Sequence, residues 1–222
     1  MKTHQNPLFS DETQAHADLT TLESPTLLVD KRRPTGKRLL RDLRRQQTAA
    51  QAMADFGHET RIHGLTKGQF SLLDLITSTI DTIGPSHMQI STWTAAKTDV
   101  RTCCEWMKAG QILSSRWLVD LTFQRRTPEL AHTIRELFGA ESIRVAQNHC
   151  KLVLLHNDDW RVVIQTSMNL NFNPRFENFT VAHDPDLHAF YGGIFDEVWQ
   201  RQPRDLASAN PHTITKFFIS EM

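Results

Sequence analysis

The sequence predicts an α/β protein in which helices cover both faces of a mixed β-sheet. Three observations lead to this fold class. Apolar residues follow strand-like and helix-like spacings in turn from about residue 64 onward. The segment His149–Leu155 is almost continuously apolar, as is typical of a strand buried on both faces. The predicted order is strand, helix, strand, helix, several strands and a final helix, which places helices on both sides of one sheet.

The individual elements follow from apolar spacing and from turn residues. In chain order they are a helix from Phe70 that ends at Gly84-Pro85, a strand at His87–Trp93, a helix around Val100–Met107, a strand over Trp117–Phe123, a helix over Pro128–Phe138, strands at Ile143–Val145, His149–Leu155, Arg161–Gln165 and Phe179–Ala182, and a helix over Leu187–Val198. Pro128 suits the first position of its helix, and Gly139 suits the position that ends it.

Residues 1–63 are predicted to be a polar, partly disordered extension, and residues 64–222 the folded domain. Within the extension, residues 31–45 carry eight Lys and Arg residues against one Asp, and leucines at helical spacing predict a basic helix over about 36–56. Its cations are candidate contacts to a nucleic-acid backbone: Lys37, Arg38, Arg41, Arg44 and Arg45. The alternative is a solvated helix face or an arm that docks on a partner.

Composition narrows the possible classes of protein. The formal net charge of the 222 residues is +0, so any binding of nucleic acid must use a local patch. The three cysteines, Cys103, Cys104 and Cys150, lack disulfide or zinc-site spacing and are predicted to be reduced core thiols. Trp93, Trp106 and Trp117 are predicted to lie in the core. No long apolar segment or signal peptide is visible, so we expect a cytoplasmic protein that does not act at a membrane.

One group of polar residues is suited to phosphate chemistry. His149 and Lys151 are two residues apart, so on a strand they would point to the same side. The next strand ends in Ser167 and Asn169, with the same spacing, and Glu177 follows. A neutral imidazole can attack phosphorus, and an ammonium, a hydroxyl and an amide can hold phosphate oxygens. A carboxylate can orient the imidazole, and a second imidazole is needed to protonate the leaving oxygen.

These residues resemble one half of the phospholipase D superfamily motif. The resemblance covers 143–201 and stands here as His149-x-Lys151, Ser167-x-Asn169 and Glu177-Asn178. It implies an α/β sandwich, with His149, Lys151 and Glu177 catalytic and Lys151, Ser167 and Asn169 binding phosphate. It further implies metal-independent chemistry through a phosphohistidine, with no cofactor, at a site built from two such motifs. A chain with one motif would then act as a homodimer across the catalytic cleft.

Two positions depart from the family pattern. The family has Asp five residues after the lysine, where this chain has His156, and Gly before the serine, where it has Thr166. The motif as a whole leads us to expect a homodimeric phosphodiesterase, a nuclease or nucleic-acid-processing protein. The two departures favour the alternative, a catalytically inactive DNA-binding or scaffold protein. A lipid phosphodiesterase ranks third. It would need an amphipathic surface that docks on a membrane, and the one candidate for such a surface is the basic segment 31–45, which has only three leucines.

Overall fold

The computed structural model describes residues 36–42, 47–120, 122–123, 128–172 and 174–201, which belong to one compact unit, Thr35–Ala209. Eight strands form its sheet: β1 Lys37–Arg41, β2 Thr60–Thr66, β3 Ser86–Thr92, β4 Ile112–Asp120, β5 Ile143–Ala146, β6 Leu152–His156, β7 Arg161–Thr166 and β8 Glu177–His183. The described helices are α1 Ala49–Met53, α2 Leu72–Ile83, α3 Lys97–Lys108, α4 Pro128–Phe138 and α5 Pro185–Arg201, with a 3-10 turn at Ala140–Ser142.

The sheet is mixed, with the order β1-β2-β8-β7-β6-β3-β4-β5. The pairs β1/β2, β3/β4 and β4/β5 are parallel, and every pairing from β2 through β8, β7 and β6 to β3 is antiparallel. The carboxyl ends of β2, β3, β4 and β7 and the amino ends of β6 and β8 therefore lie at one end of the sheet. Polar residues that follow or precede these strands meet there.

Two apolar layers hold the sheet between helices. The larger core contains side chains of α1 to α4 and one set of strand residues, among them Trp117 and Val153. The smaller one lies on the opposite face, where Leu118 and Leu154 pack with Phe195 of α5. Alternate residues of a strand point to opposite faces, which is why neighbours such as 117 and 118 belong to different layers. The predicted fold class, a mixed sheet covered by helices on both faces, is confirmed.

The predicted basic helix is wrong over Lys37–Arg41, which form the edge strand β1. Hydrogen bonding to β2 in parallel register pairs Lys37 with Thr60 and Arg41 with Gly64, and such pairing between distant segments overrides local helical spacing. The only helix described in that region is the short α1. Its first turn is stabilised by a capping box that Thr48 and Gln51 form. The predicted boundary between 63 and 64 falls inside β2. Residues 1–35, Arg44 and Arg45 lie outside the described residues.

Two further predictions change in the last third of the chain. The strand expected over His149–Leu155 begins only at Leu152, and the backbone of Cys150 before it hydrogen-bonds to the side chains of Asn148 and Ser91. Cys150 is exposed, so its prediction as a core thiol is wrong, whereas Cys103 and Cys104 are buried.

In the part of the chain that the structure describes, no helix is both long and apolar enough to cross a membrane.

Candidate active site

The predicted site residues lie at the end of the sheet where β6 and β8 begin and β7 ends. Lys151 directly precedes β6, Ser167 directly follows β7, and Glu177 is the first residue of β8. The strands are neighbours, and Thr166 N donates to Lys151 O at 3.2 Å, so the β6–β7 pairing continues up to the site. Ser167 N donates to Asn178 O at 3.2 Å on the other side.

His149 and Lys151 are in direct contact. The Lys151 Nζ lies 3.1 Å from Nδ1 and 3.2 Å from Nε2 of the imidazole, and it donates to the His149 carbonyl at 2.9 Å. His149 is exposed and Lys151 is half-buried, so both groups can meet a ligand from solvent. The spacing of two residues brings imidazole and ammonium together, as expected, although both precede the strand.

The Lys151 ammonium lies in partly desolvated surroundings. Burial lowers its pKa from the usual lysine value, while the neighbouring Cys150 and Glu177 act in the opposite direction. The carboxylate of Glu177 is therefore close enough to Lys151 to influence its charge. A cation that has already lost part of its hydration binds an anion with less further desolvation.

Ser167 and Glu177 form a second contact across β7 and β8. The Ser167 hydroxyl donates to Glu177 Oε2 and accepts from Asn178 N at 3.0 Å. Glu177 was expected to orient the imidazole of His149, but within the chain described its carboxylate binds Ser167 instead. Ser167 follows β7 and Glu177 begins the adjacent antiparallel strand β8, whereas β7 lies between β8 and β6, the strand that His149 precedes.

Asn169 lies in the loop that continues from Ser167. Its Oδ1 and that of Asn171 are buried without a hydrogen-bond partner among the described residues. Between them, Leu170 O accepts from Ala96 N at 2.7 Å, which fixes the loop against the start of α3. Asn169 thus lies at the predicted end of the sheet, with an amide whose oxygen is unsatisfied. Buried polar atoms of this kind often mark a ligand or water position.

A buried amide that the sequence reasoning missed holds the His149 loop. Asn148 is 7% exposed; its Nδ2 donates to Ser91 Oγ at 2.8 Å and to Leu118 O at 3.1 Å, and its Oδ1 accepts from Cys150 N at 3.0 Å. Its backbone N–H donates to Asp120 Oδ2 at 3.1 Å. These bonds tie the residue before His149 to β3 and β4. No local sequence pattern predicts these hydrogen bonds, because Ser91 and Asp120 are distant from Asn148 along the chain.

Trp93 also lies next to the candidate nucleophile. Its ring centroid is 5.6 Å from that of His149, and the side chain is half-buried. The prediction that all three tryptophans are core residues therefore holds for Trp106 and Trp117, which are buried, but not fully for Trp93.

The known proteins that this chain matches are solved structures of low sequence identity. No protein-family model matches the chain, and no curated protein does either. A polyphosphate kinase from Porphyromonas gingivalis is 12% identical, with a TM-score of 0.46 over 62% of this chain and 26% of that one, so the chain spans about a quarter of its length. Nuc from Salmonella typhimurium is 16% identical, with a TM-score of 0.45 over 63% of this chain and 93% of that one. Nuc is a phospholipase D family member.

The two departures from the motif lie in different places. His156 is at the far end of β6, where its ring stacks on His87 with centroids 5.0 Å apart. Thr166 is at the site, but its hydroxyl donates to Asn178 O of β8 at 2.6 Å and accepts from Met168 N at 3.0 Å, so it is engaged with backbone groups of β8 and of the loop after β7.

Of the basic residues predicted to bind nucleic acid, the three that the structure describes, Lys37, Arg38 and Arg41, lie on β1, away from this site. β1 is at the sheet edge, four strands away from β6, which corresponds to roughly 19 Å at about 4.8 Å per strand. Arg41 is committed elsewhere: its Nε donates to Ala52 O at 2.9 Å and its Nη2 to Ala54 O, at the end of α1. Lys37 and Arg38 are exposed. In the described ranges, no cluster of three His, Cys, Asp or Glu side chains is arranged to hold a metal ion.

Proposed function

We propose that the protein is a phospholipase D-like phosphodiesterase that hydrolyses nucleic acid as a homodimer, without a metal ion, with His149 as nucleophile. The observation that carries this proposal is the contact between the His149 imidazole and the Lys151 ammonium, at the end of the sheet where Ser167 and Asn169 follow the neighbouring strand. Nucleophile and phosphate-binding groups are thus supplied from adjacent segments of one rigid sheet.

In the first step, a ring nitrogen of His149 forms a bond to phosphorus while the bond from phosphorus to the leaving oxygen breaks. Lys151 and the Ser167 hydroxyl stabilise the charge that accumulates on the non-bridging oxygens. Glu177 positions that hydroxyl through the contact described above. The leaving oxygen takes a proton from a second imidazole.

In the second step, water attacks the phosphorus, the phosphorus–nitrogen bond breaks, and the second imidazole takes up the proton of the water. The motif occurs once in the chain, so the second imidazole comes from His149 of another copy. A homodimer that places two copies of His149 face to face completes the site. The exposure of His149 and its position at a sheet end are compatible with this pairing.

Hydrolysis of DNA in excess EDTA tests the proposal. Purified full-length protein is incubated with labelled single-stranded and double-stranded DNA, beside His149→Ala and the control His132→Ala, which changes an exposed histidine on α4. We expect cleavage that survives chelation and falls at least about 100-fold in His149→Ala, but stays unchanged in the control. Cleavage that persists in His149→Ala contradicts the assignment.

A catalytically inactive nucleic-acid-binding protein is the second candidate. The observation that favours it is that Ser167 and Glu177 satisfy each other within the chain, and that the motif carries His156 and Thr166 at two family positions. The same experiment separates the two candidates. Tight binding of DNA by the wild-type protein without any cleavage would support this second function.

A further inference from the structure

Two exposed aromatic side chains flank the candidate site on the segment between β7 and β8. Phe172 and Phe176 are each 64% exposed, and they lie between Asn171 and Glu177 along the chain. Burying an aromatic ring is a large source of binding free energy, so two such rings beside a phosphate site indicate a binding surface.

The backbone that carries these rings is fixed against the turn after β2. Gly68 has a φ of +78°, and a Cβ at that position would lie 2.8 Å from the Pro174 Cα. Only glycine allows so close an approach, so the turn and Pro174 pack directly on each other. On the other side of the segment, Leu170 is bonded to Ala96. Leu170 and Pro174, described residues on either side of Phe172, therefore contact neighbouring elements.

Cations accompany the rings. The Lys67 ammonium is 5.0 Å from the centroid of the Phe176 ring, within the range of a cation–π contact, and Arg175 between the two rings is exposed. A patch that combines exposed aromatic faces with positive charges is typical of proteins that bind single-stranded nucleic acid, in which rings stack on bases and cations contact phosphates.

We propose that Phe172 and Phe176 form a stacking platform for unpaired bases, so that the nucleic acid held at His149 is single-stranded. The inference rests on the proposed function and names its substrate class. In a duplex the faces of the bases are covered by their neighbours, and only their edges are open to a protein. Aromatic rings can therefore stack only on bases that have left the duplex, whereas Lys67 and Arg175 contact the backbone of either form.

Equilibrium binding to a labelled oligothymidylate tests the platform independently of hydrolysis. Titrations in excess EDTA use the His149→Ala chain, with and without Phe172→Ala or Phe176→Ala, and an abasic strand of equal length provides the same phosphates without bases. We expect each alanine variant to weaken oligothymidylate binding about 5- to 150-fold, the range expected for the loss of one stacked base, with less than about 2-fold change on the abasic strand.

Two variants serve as controls. Phe176→Trp keeps a stacking ring and should retain binding within about 3-fold, and Phe190→Ala removes an exposed ring on α5 and should leave binding unchanged. Equal binding of oligothymidylate by the His149→Ala chain with and without the phenylalanine substitutions overturns the inference and leaves the proposed hydrolysis untouched. The absence of any binding to oligothymidylate also overturns the inference, whereas cleavage of double-stranded DNA in the hydrolysis assay would still support the proposed function.

Two other occupants of the surface are distinguished in the same experiments. If Phe172→Ala or Phe176→Ala converts a dimer into a monomer in light scattering, the rings belong to the subunit interface and the platform is wrong. If the wild-type protein binds vesicles of anionic phospholipid and the alanine variants do not, the rings insert into lipid and the platform is again wrong.

Discussion

Asn148 links the candidate nucleophile to the interior of the sheet. Its amide bonds Ser91, Leu118 and Cys150, all within 3.1 Å. Replacing it by alanine leaves several buried groups unsatisfied, which costs about 1–3 kcal/mol. We expect Asn148→Ala to lower the free energy of unfolding by this amount in urea titrations and also to reduce hydrolysis at least about 10-fold, because the loop of His149 loses its support.

Asn157 provides a matched control at the opposite end of the sheet. Its Nδ2 donates to Ile83 O at 2.9 Å and to Pro85 O at 3.1 Å, and its Oδ1 accepts from Trp160 N at 3.0 Å. Asn157→Ala should cost a similar free energy of unfolding and leave hydrolysis unchanged. If both variants lose activity in proportion to stability, Asn148 has no positioning role.

The cysteines differ in their access to solvent. Cys150 is exposed, whereas Cys103 and Cys104 are buried, and burial raises the pKa of the Cys103 thiol far above its usual value. We expect one of the three thiols to react with a disulfide reagent in the native protein, and all three after unfolding. Cys150→Ser should abolish the native reaction; two or more reactive thiols in the native state would contradict the burial of Cys103 and Cys104.

Sequence reasoning succeeded where a motif is local. His149 and Lys151 are two residues apart, so one short segment beside the start of a strand brings the pair together. It failed where a contact joins distant segments. The support of His149 by Asn148, Ser91 and Asp120 depends on which strands become neighbours, and the sequence pattern does not specify that.

At the scale of elements, side-chain contacts attach the start of α5 to the end of the sheet opposite the candidate site. Asp184 Oδ1 accepts from Leu187 N at 3.0 Å, and Pro185 occupies the first helical position. The same carboxylate forms an ion pair with Arg61 at 2.6 Å, which ties the helix to β2. One turn later His188 is buried against His156, with ring centroids 5.3 Å apart.

The burial of His188 predicts a loss of stability in acid. Burial, with a smaller effect of His156 and Arg161, lowers the pKa of His188 to about 4. In the unfolded chain this imidazole has a pKa of about 6.5 and binds a proton below that pH, whereas in the folded protein it stays neutral down to about pH 4. The free energy of unfolding therefore falls as the pH drops from about 6.5 to about 4, by roughly 3 kcal/mol at most. The pKa of His156 is lowered in the same direction, chiefly by burial.

Urea unfolding at about pH 7 and about pH 4.5 measures this effect. His188→Leu should remove part of the difference between the two pH values, while His132→Leu, at a histidine that is exposed and paired only with Glu136, should not. An unchanged difference in His188→Leu would show that this imidazole does not stay neutral in the folded state.

The edge strand β1 shows why the fold class was predictable but one element was not. The central strands carry dense runs of apolar residues that are visible in the sequence, as in Leu152–His156. By contrast, Lys37–Arg41 contains two leucines among three cations, a composition that suits a helix face or an exposed edge equally. Pairing with β2 decides between them, and that pairing joins residues more than twenty positions apart.

At the scale of the whole molecule, the proposed site needs two imidazoles. Each chain supplies one, His149, so two chains must combine to form the site. Wild-type protein and His149→Ala, mixed in equal amounts and refolded together, should form about one quarter of dimers with both imidazoles. We expect about one quarter of the wild-type activity at the same total concentration. An activity of about one half would mean that each chain works alone, and a strict monomer at micromolar concentration in light scattering would also contradict the dimer.

The central claim, that His149 attacks phosphorus, is tested most directly by trapping the intermediate. A diester labelled at its phosphate is mixed with the protein in EDTA, the reaction is stopped by a rapid alkaline quench, and the tryptic peptide that contains residue 149 is sought by mass spectrometry. We predict an adduct, stable in alkali and lost in acid, in which a ring nitrogen of His149 is bonded to the labelled phosphorus and the phosphorus keeps its second ester group. Cleavage of the diester with the label on another residue, or with no adduct at any histidine, would contradict the account.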